Sequence, residues 1–160
     1  MAAAARMVNV VGAVTPDGDP DPNLFDTLEH GLRSLVASDD PSLTALLFQI
    51  RLLCLIGFRP QTDHCAACGK TKVIQEPQFS PASGGLVCVR CAAGQRVPCL
   101  PLSRGSLAFL QQALRLAPEM VTRLKAAGQV RGEVEHAIES YVTVVAGRRI
   151  PPVDFLAASM

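Results

Sequence analysis

Cys65-Ala66-Ala67-Cys68-Gly69-Lys70 is followed, after nineteen intervening residues, by Cys88-Val89-Arg90-Cys91. Two residues between paired cysteines let a tight turn aim both sulfurs at one point. Two such turns supply the four thiolates of a tetrahedral site, with Zn–S near ~2.3 Å. Gly69 suits the turn after the second cysteine, where positive φ or a close approach of backbone to sulfur is often required. The intervening length also falls within the range of zinc sites. Between the pairs, Val73 to Phe79 and Leu86 to Val89 read as short strands around Ser80-Pro81-Ala82-Ser83-Gly84-Gly85. The spacing thus predicts a zinc-binding β-hairpin, carrying the second cysteine pair, within a module at 61–99. Disulfide staples, a redox-active dithiol and an iron site compete with zinc; two matched pairs fit a metal better than a catalytic dithiol.

Helical signals flank the module on both sides. Asp40 reads as an N-cap with Pro41 at the first helical position. The helix then runs through Leu43, Leu46, Leu47, Ile50, Leu53 and Leu55 to Gly57. Apolar residues occur nearly all round it, so neighbours must cover most of its sides. Upstream, Asn23 reads as a cap for a helix with Leu24, Phe25, Leu28, Leu32, Leu35 and Val36 on one stripe. Downstream, Ser103 caps a helix through Leu107, Leu110, Leu114 and Ala117. Pro118 opens a short helix that Gly128 closes. A last helix from about Val130 to Ala146 places Val134, Ala137, Ile138, Tyr141 and Val142 on one face and ends at Gly147. Phe155 and Leu156 are expected to tuck back as a tail anchor. Residues 1–22 read as an irregular segment, with a short strand at Val8 to Val14 and a Pro/Asp-rich linker at 16–22. The expected fold is therefore mainly α: a helical domain over 23–160 with an inserted four-Cys zinc-binding β-hairpin.

Composition bounds the remaining readings. The chain has 160 residues, 49% of them apolar, with no Trp and one Tyr. That is ample for one core built on aliphatic side chains. Net charge is +1, so global charge names no partner. Asp17 to Asp40 is strongly acidic and Pro41 onward is basic, which suits either an ordinary solvated surface or a face for phosphate or an acidic peptide. No secretory leader is visible, and Leu43 to Gly57 is too short to span a bilayer. A cytoplasmic protein with reduced thiols and no membrane contact is expected.

Other chemistry is sparse. His30 and His136 sit on expected helices beside charges, and His64 is a rival ligand next to Cys65. Cys54 reads as a small core hydrophobe and Cys99 as a bystander. Asp39-Asp40 is capping chemistry, and Glu133 with Glu135 a polar helix face. No nucleophile, base and oxyanion site assemble, so no enzyme is expected. Candidate DNA or partner contacts are Lys70, Lys72 and Arg90 by the knuckles, with Arg96 beside them. Arg104, Arg115, Arg123 and Lys125 lie on or between the later helices, and Arg148 and Arg149 follow the last one. Aromatics for base stacking are poorly represented near them.

An ordered set of motifs resembles the RecO recombination mediators of bacterial DNA repair. It comprises Arg51-Leu52-Leu53-Cys54-Leu55-Ile56-Gly57-Phe58-Arg59-Pro60, Cys65-x-x-Cys68-Gly69, Phe79-Ser80-Pro81 and Gly84-Gly85-Leu86-Val87-Cys88-x-x-Cys91. Pro22-Asn23-Leu24-Phe25 and the ending from Tyr141 to Leu156 extend the likeness to roughly residues 20–157. The resemblance implies a helical domain with a zinc finger, following an OB-fold that contributes much of the DNA binding. It implies metal ligation by Cys65, Cys68, Cys88 and Cys91. It also implies a mediator of the RecF pathway working with RecR, single-stranded DNA and the acidic C-terminal tail of single-strand-binding protein. The physical expectation is a hydrophobic groove with a basic rim. The sequence departs from the family in lacking room for the OB-fold before residue 20, and in Pro151-Pro152, where a basic-Ser pair is usual. Alternatives are a stand-alone zinc-ribbon nucleic-acid binder, a structural fragment with no ligand but zinc, and a thiol redox protein.

Overall fold

The computed structural model describes residues 2–15, 21–71, 75–121 and 123–147. Its elements are α1 (Ala2–Val14), α2 (Pro22–Val36), α3 (Pro41–Leu55), β1 (Gln78–Ser80), β2 (Gly85–Val87), α4 (Val89–Ala93), β3 (Leu100–Pro101), α5 (Arg104–Arg115), α6 (Pro118–Val121) and α7 (Gly128–Ala146). The mainly α class with a small antiparallel sheet is as expected. Lys72, Val73, Arg148, Arg149, Phe155, Leu156 and most of the 16–22 linker lie outside the described residues.

Helix α3 is the central element. Nine of its residues are buried, among them Leu46, Ile50, Leu52 and Leu53. Each large apolar side chain so buried contributes about 1.5–3 kcal/mol relative to exposure. Helices α1, α2, α5 and α7 all pack on α3; α1 also meets α2 and α7, and α5 meets α7. The Asp40 cap is as expected: its Oδ1 accepts from Leu43 N–H at 3.1 Å, and Pro41 occupies the first turn. The same carboxylate receives two bonds from the Arg131 guanidinium of α7, at 2.9 and 3.0 Å. One residue thus caps α3 and ties it to α7.

The N-terminal segment differs from expectation. Residues 2–14 form a helix, not an irregular stretch with a strand. Val favours strands when nothing else decides, but Met7, Val10, Val11 and Val14 also recur at helical spacing. Burial of that stripe against α3 decides the outcome, with Met7 and Val10 almost fully enclosed. Arg6 pairs with Glu139 of α7 at the same junction.

Helix α2 begins two residues earlier than expected. Asp21, not Asn23, is its cap, accepting from Asn23 N–H at 2.9 Å, with Pro22 opening the helix. Leu24 and Gly31 face inward, whereas Phe25 and Val36 lie outside. Gly31 permits the close crossing: a Cβ there would lie 2.7 Å from both Met7 and the Phe48 ring.

The sheet has the order β2-β1-β3, antiparallel throughout. Strand β3 was not expected; Leu100-Pro101 is only two residues long, and proline is tolerated there because the strand is at an edge. Val89 is helical instead of extended. Ser103 caps α5 as expected, accepting from Ser106 N–H. Glu133 of α7 adds to that cap, accepting from Ser103 N–H at 2.6 Å and Ser106 Oγ at 2.5 Å. It is therefore more than a polar face. Gly128, with φ 55°, opens α7 and does not close α6. The α7 face of Val134, Ala137, Ile138, Tyr141 and Val142 is buried as expected.

Bonds from Arg131 and Leu43 N–H hold the Asp40 carboxyl down at about 2. A depressed carboxylate stabilises the fold above its unfolded value of 3.8, and that contribution is lost as pH falls toward about 2. Asn retains cap geometry, so Asp40→Asn isolates the ion pair. The carboxylate is partly exposed, so the loss at neutral pH is expected within ~1 kcal/mol. Denaturation midpoints of both proteins, measured at neutral pH and near pH 2, should converge at the acid end; a constant gap would contradict the linkage.

Candidate metal centre and adjoining groove

The two knuckles fold by local hydrogen bonds. Gly69 N–H donates to Cys65 O at 2.8 Å and Cys65 N–H to Lys70 O at 3.0 Å, closing the first turn. Gly69 has φ 74°, the conformation its sequence position called for. The second knuckle begins where β2 ends: Cys88 is the N-cap residue of α4, and Cys91 lies inside that helix. Backbone bonds also join the knuckles. Ala66 N–H donates to Leu86 O at 2.7 Å, and Cys88 N–H to Cys65 Sγ at 3.3 Å.

All four sulfurs lie within 4.8 Å of one another. The Cys68 and Cys88 sulfurs are 3.9 Å apart. A tetrahedron with metal–sulfur bonds of ~2.3 Å has edges of about 3.8 Å, so the set fits a four-thiolate metal ion. Cys65 is fully buried, Cys88 and Cys91 are half-buried, and Cys68 is exposed. Burial opposes ionisation of Cys65, but donation from the Cys88, Cys68 and Ala67 backbone outweighs it and brings the thiol down to about 6. Cys91 is pushed up to about 12 by its sulfur neighbours Cys88 and Cys68. A cation at the centre would favour the thiolate form at all four positions. His64 is half-buried and not part of the set, and Cys54 and Cys99 are separate half-buried thiols.

The module is docked on the helical body. Phe79 meets Tyr141 edge to face, with ring centroids 5.8 Å apart. The Tyr141 hydroxyl packs where a Cβ on Gly84 would come within 2.9 Å of it. Gln61 N–H donates to Gly84 O, and Leu86 N–H donates to Gln61 O.

A cavity of about 760 Å³ opens along one flank of α3, between α2, the end of α5, α6 and the chain leading to α7. Leu43, Leu47, Phe48 and Leu114 form its apolar floor and walls. Arg51, Arg59 and Lys125 are exposed cations on its lining. Of the lining carboxylates, Asp40 is neutralised by Arg131, which leaves Asp39.

The cations singled out in the sequence do not gather at one place. Lys125 lines the groove. Arg115 pairs with Asp63 at 3.2 Å. Lys70, Arg90 and Arg96 are exposed on the module, and Arg104 and Arg123 are exposed beside the later helices. Sequence reasoning missed Arg51 and Arg59 as groove residues. The available signal was their position as charges within or just after an otherwise apolar run.

The family model for the C-terminal part of recombination protein O, "Recombination protein O C terminal", matches residues 1–151. This chain belongs to that family. A relative called DNA repair protein RecO from Desulfitobacterium hafniense is 34% identical over 125 residues, covering 77% of this chain and 45% of the relative. The protein of the same name from Myxococcus xanthus is 33% identical over 163 residues, covering 98% of this chain and 62% of the relative. That from Roseiflexus sp. is 29% identical, covering 96% of this chain and 54% of the relative. The chain therefore spans about half the length of the curated relatives it matches. None of the helices among the described residues is long and apolar enough to cross a membrane.

Replacing the buried ligand tests the metal centre. Cys65→Ser is expected to abolish stoichiometric metal binding and lower the melting temperature, because binding energies of ~10–16 kcal/mol in finger peptides are folding energy. Metal content and thermal circular dichroism on the same samples check it. Lost metal with an unchanged melting temperature would contradict a structural role.

Proposed function

We propose that this chain is the helical and zinc-binding portion of a RecO-like DNA repair and recombination mediator of the RecF pathway. It acts in the bacterial cytoplasm without catalysis, through contacts with the C-terminal tail of single-strand-binding protein, with RecR and with single-stranded DNA. The cofactor is one structural Zn²⁺ held by Cys65, Cys68, Cys88 and Cys91. Four protein ligands leave no open position for water or substrate, which suits a structural ion.

The groove carries this reading. From Asp40 to Cys54 it follows α3 for roughly 20 Å, at 1.5 Å per residue. That length accommodates about six residues of extended peptide. An apolar floor takes an aromatic or aliphatic side chain, while Arg51, Arg59 and Lys125 match carboxylates. A short acidic segment ending in an apolar residue has this chemistry. The exposed cations Lys70, Arg90, Arg104 and Arg123 remain for nucleic-acid or further partner contacts, which salt dependence would reveal.

Fluorescence anisotropy of a labelled tail peptide of single-strand-binding protein, titrated with zinc-loaded protein, tests the proposal. Saturable binding near a roughly micromolar Kd, weakening with salt, is expected. Arg51→Ala combined with Arg59→Ala should weaken it about tenfold, or ~1.4 kcal/mol. Binding that ignores these substitutions would place the tail elsewhere.

A further inference from the structure

Residues 59–63 form a strap between the four-cysteine cluster and the groove. On one side the strap is bonded to the last turns of α5. Arg59 Nη1 donates to Leu114 O at 2.8 Å, Gln111 Nε2 donates to Thr62 O at 3.0 Å, and Arg115 meets Asp63 at 3.2 Å. Arg59 and Leu114 both line the groove. On its other side the strap joins the hairpin through Gln61, which exchanges bonds with Gly84 and Leu86 at 2.9 and 2.8 Å. That approach requires glycine: a Cβ on Gly85 would lie 2.3 Å from Gln61 O. Two residues past Asp63 comes Cys65, the buried ligand, whose neighbour Ala66 is bonded to Leu86.

We propose that metal occupancy at the four cysteines sets the shape of the groove wall through this strap. With the sulfurs held on one ion, the Cys65 turn and the end of β2 are fixed, and Gln61 fixes the strap between them. The strap then satisfies the Leu114 carbonyl, which lies in the last turn of α5, where helix carbonyls run out of intrahelical donors. Without the ion, the first knuckle and β2 separate, and those bonds go with them. The last turn of α5 frays, taking Leu114 and Leu116 from the groove. By linkage, the groove's occupant and the metal each strengthen the other's binding. The identity of that occupant rests on the function proposed above; the coupling of wall to metal does not.

Hydrogen exchange with mass spectrometry on zinc-loaded and chelator-stripped protein tests this. Residues 59–66 and 111–116 are expected to exchange about tenfold faster after stripping, within the usual range of coupling between sites. Residues 24–35 and 43–53 should keep their protection. Equal protection of 111–116 in both states overturns the proposal, as does uniform loss throughout the chain. A second arm uses Gln111→Ala with Arg115→Ala. Alanine favours helix, so faster exchange of 111–116 in the zinc-loaded variant reports loss of the strap bonds; unchanged exchange there overturns the proposal. In a third arm the tail peptide should bind stripped protein about tenfold more weakly than loaded protein. Equal affinity overturns the coupling. No binding to either form, with α5 exchange still following the metal, supports the coupling and removes only the assigned occupant.

Discussion

Helix α3 is apolar on nearly every side, and the molecule is arranged to satisfy that constraint. Residues Leu43 to Leu53 cannot all face one partner, so one layer cannot cover them. Helices α2, α1, α7 and α5 cover it in turn, each meeting the next. The covers are clamped where charge and capping coincide. Asp40 caps α3 and holds Arg131, while Glu133, two residues further along α7, holds the start of α5. What α2, α5 and α6 leave open along α3 is the groove, so the groove is the incompletely covered flank of the core helix.

The cysteine module solves a different problem. Its strands are two or three residues long, too short for an isolated sheet to persist in water. The module is held by the set of four sulfurs at one end and by Phe79, Gly84 and Tyr141 at the other. An ion held by all four thiolates would supply stability there and leave no open position for chemistry. The strap at 59–63 puts the two parts in series, because the chain leaves α3, passes the groove and enters the first knuckle within ten residues of Leu55.

Signals in the sequence were reliable where a few adjacent residues impose the structure. Asp40-Pro41 and Ser103 mark helix starts by side-chain chemistry alone, and the cysteine spacing defines its cluster regardless of surroundings. Where burial decides, local reading failed. The valines of α1 favour a strand until packing on α3 is known, and the brevity of β3 leaves no pattern to read. Gly128 looked like a stop and is a start, since glycine with positive φ serves either end. The groove was expected in kind but could not be located. Its lining comes from two stretches of chain, 27–59 and 113–125, that are far apart in sequence, and Arg51 lies inside a run whose other members are core.

Backbone nuclear magnetic resonance of the zinc-loaded protein, titrated with the acidic tail peptide, tests the central claim that the open flank of α3 is the working surface. The account predicts shift changes concentrated at Leu47, Arg51, Cys54, Arg59, Leu114 and Leu124, with the Lys70 and Arg90 amides little affected. Changes confined to the knuckles, with the α3 flank silent, would contradict it.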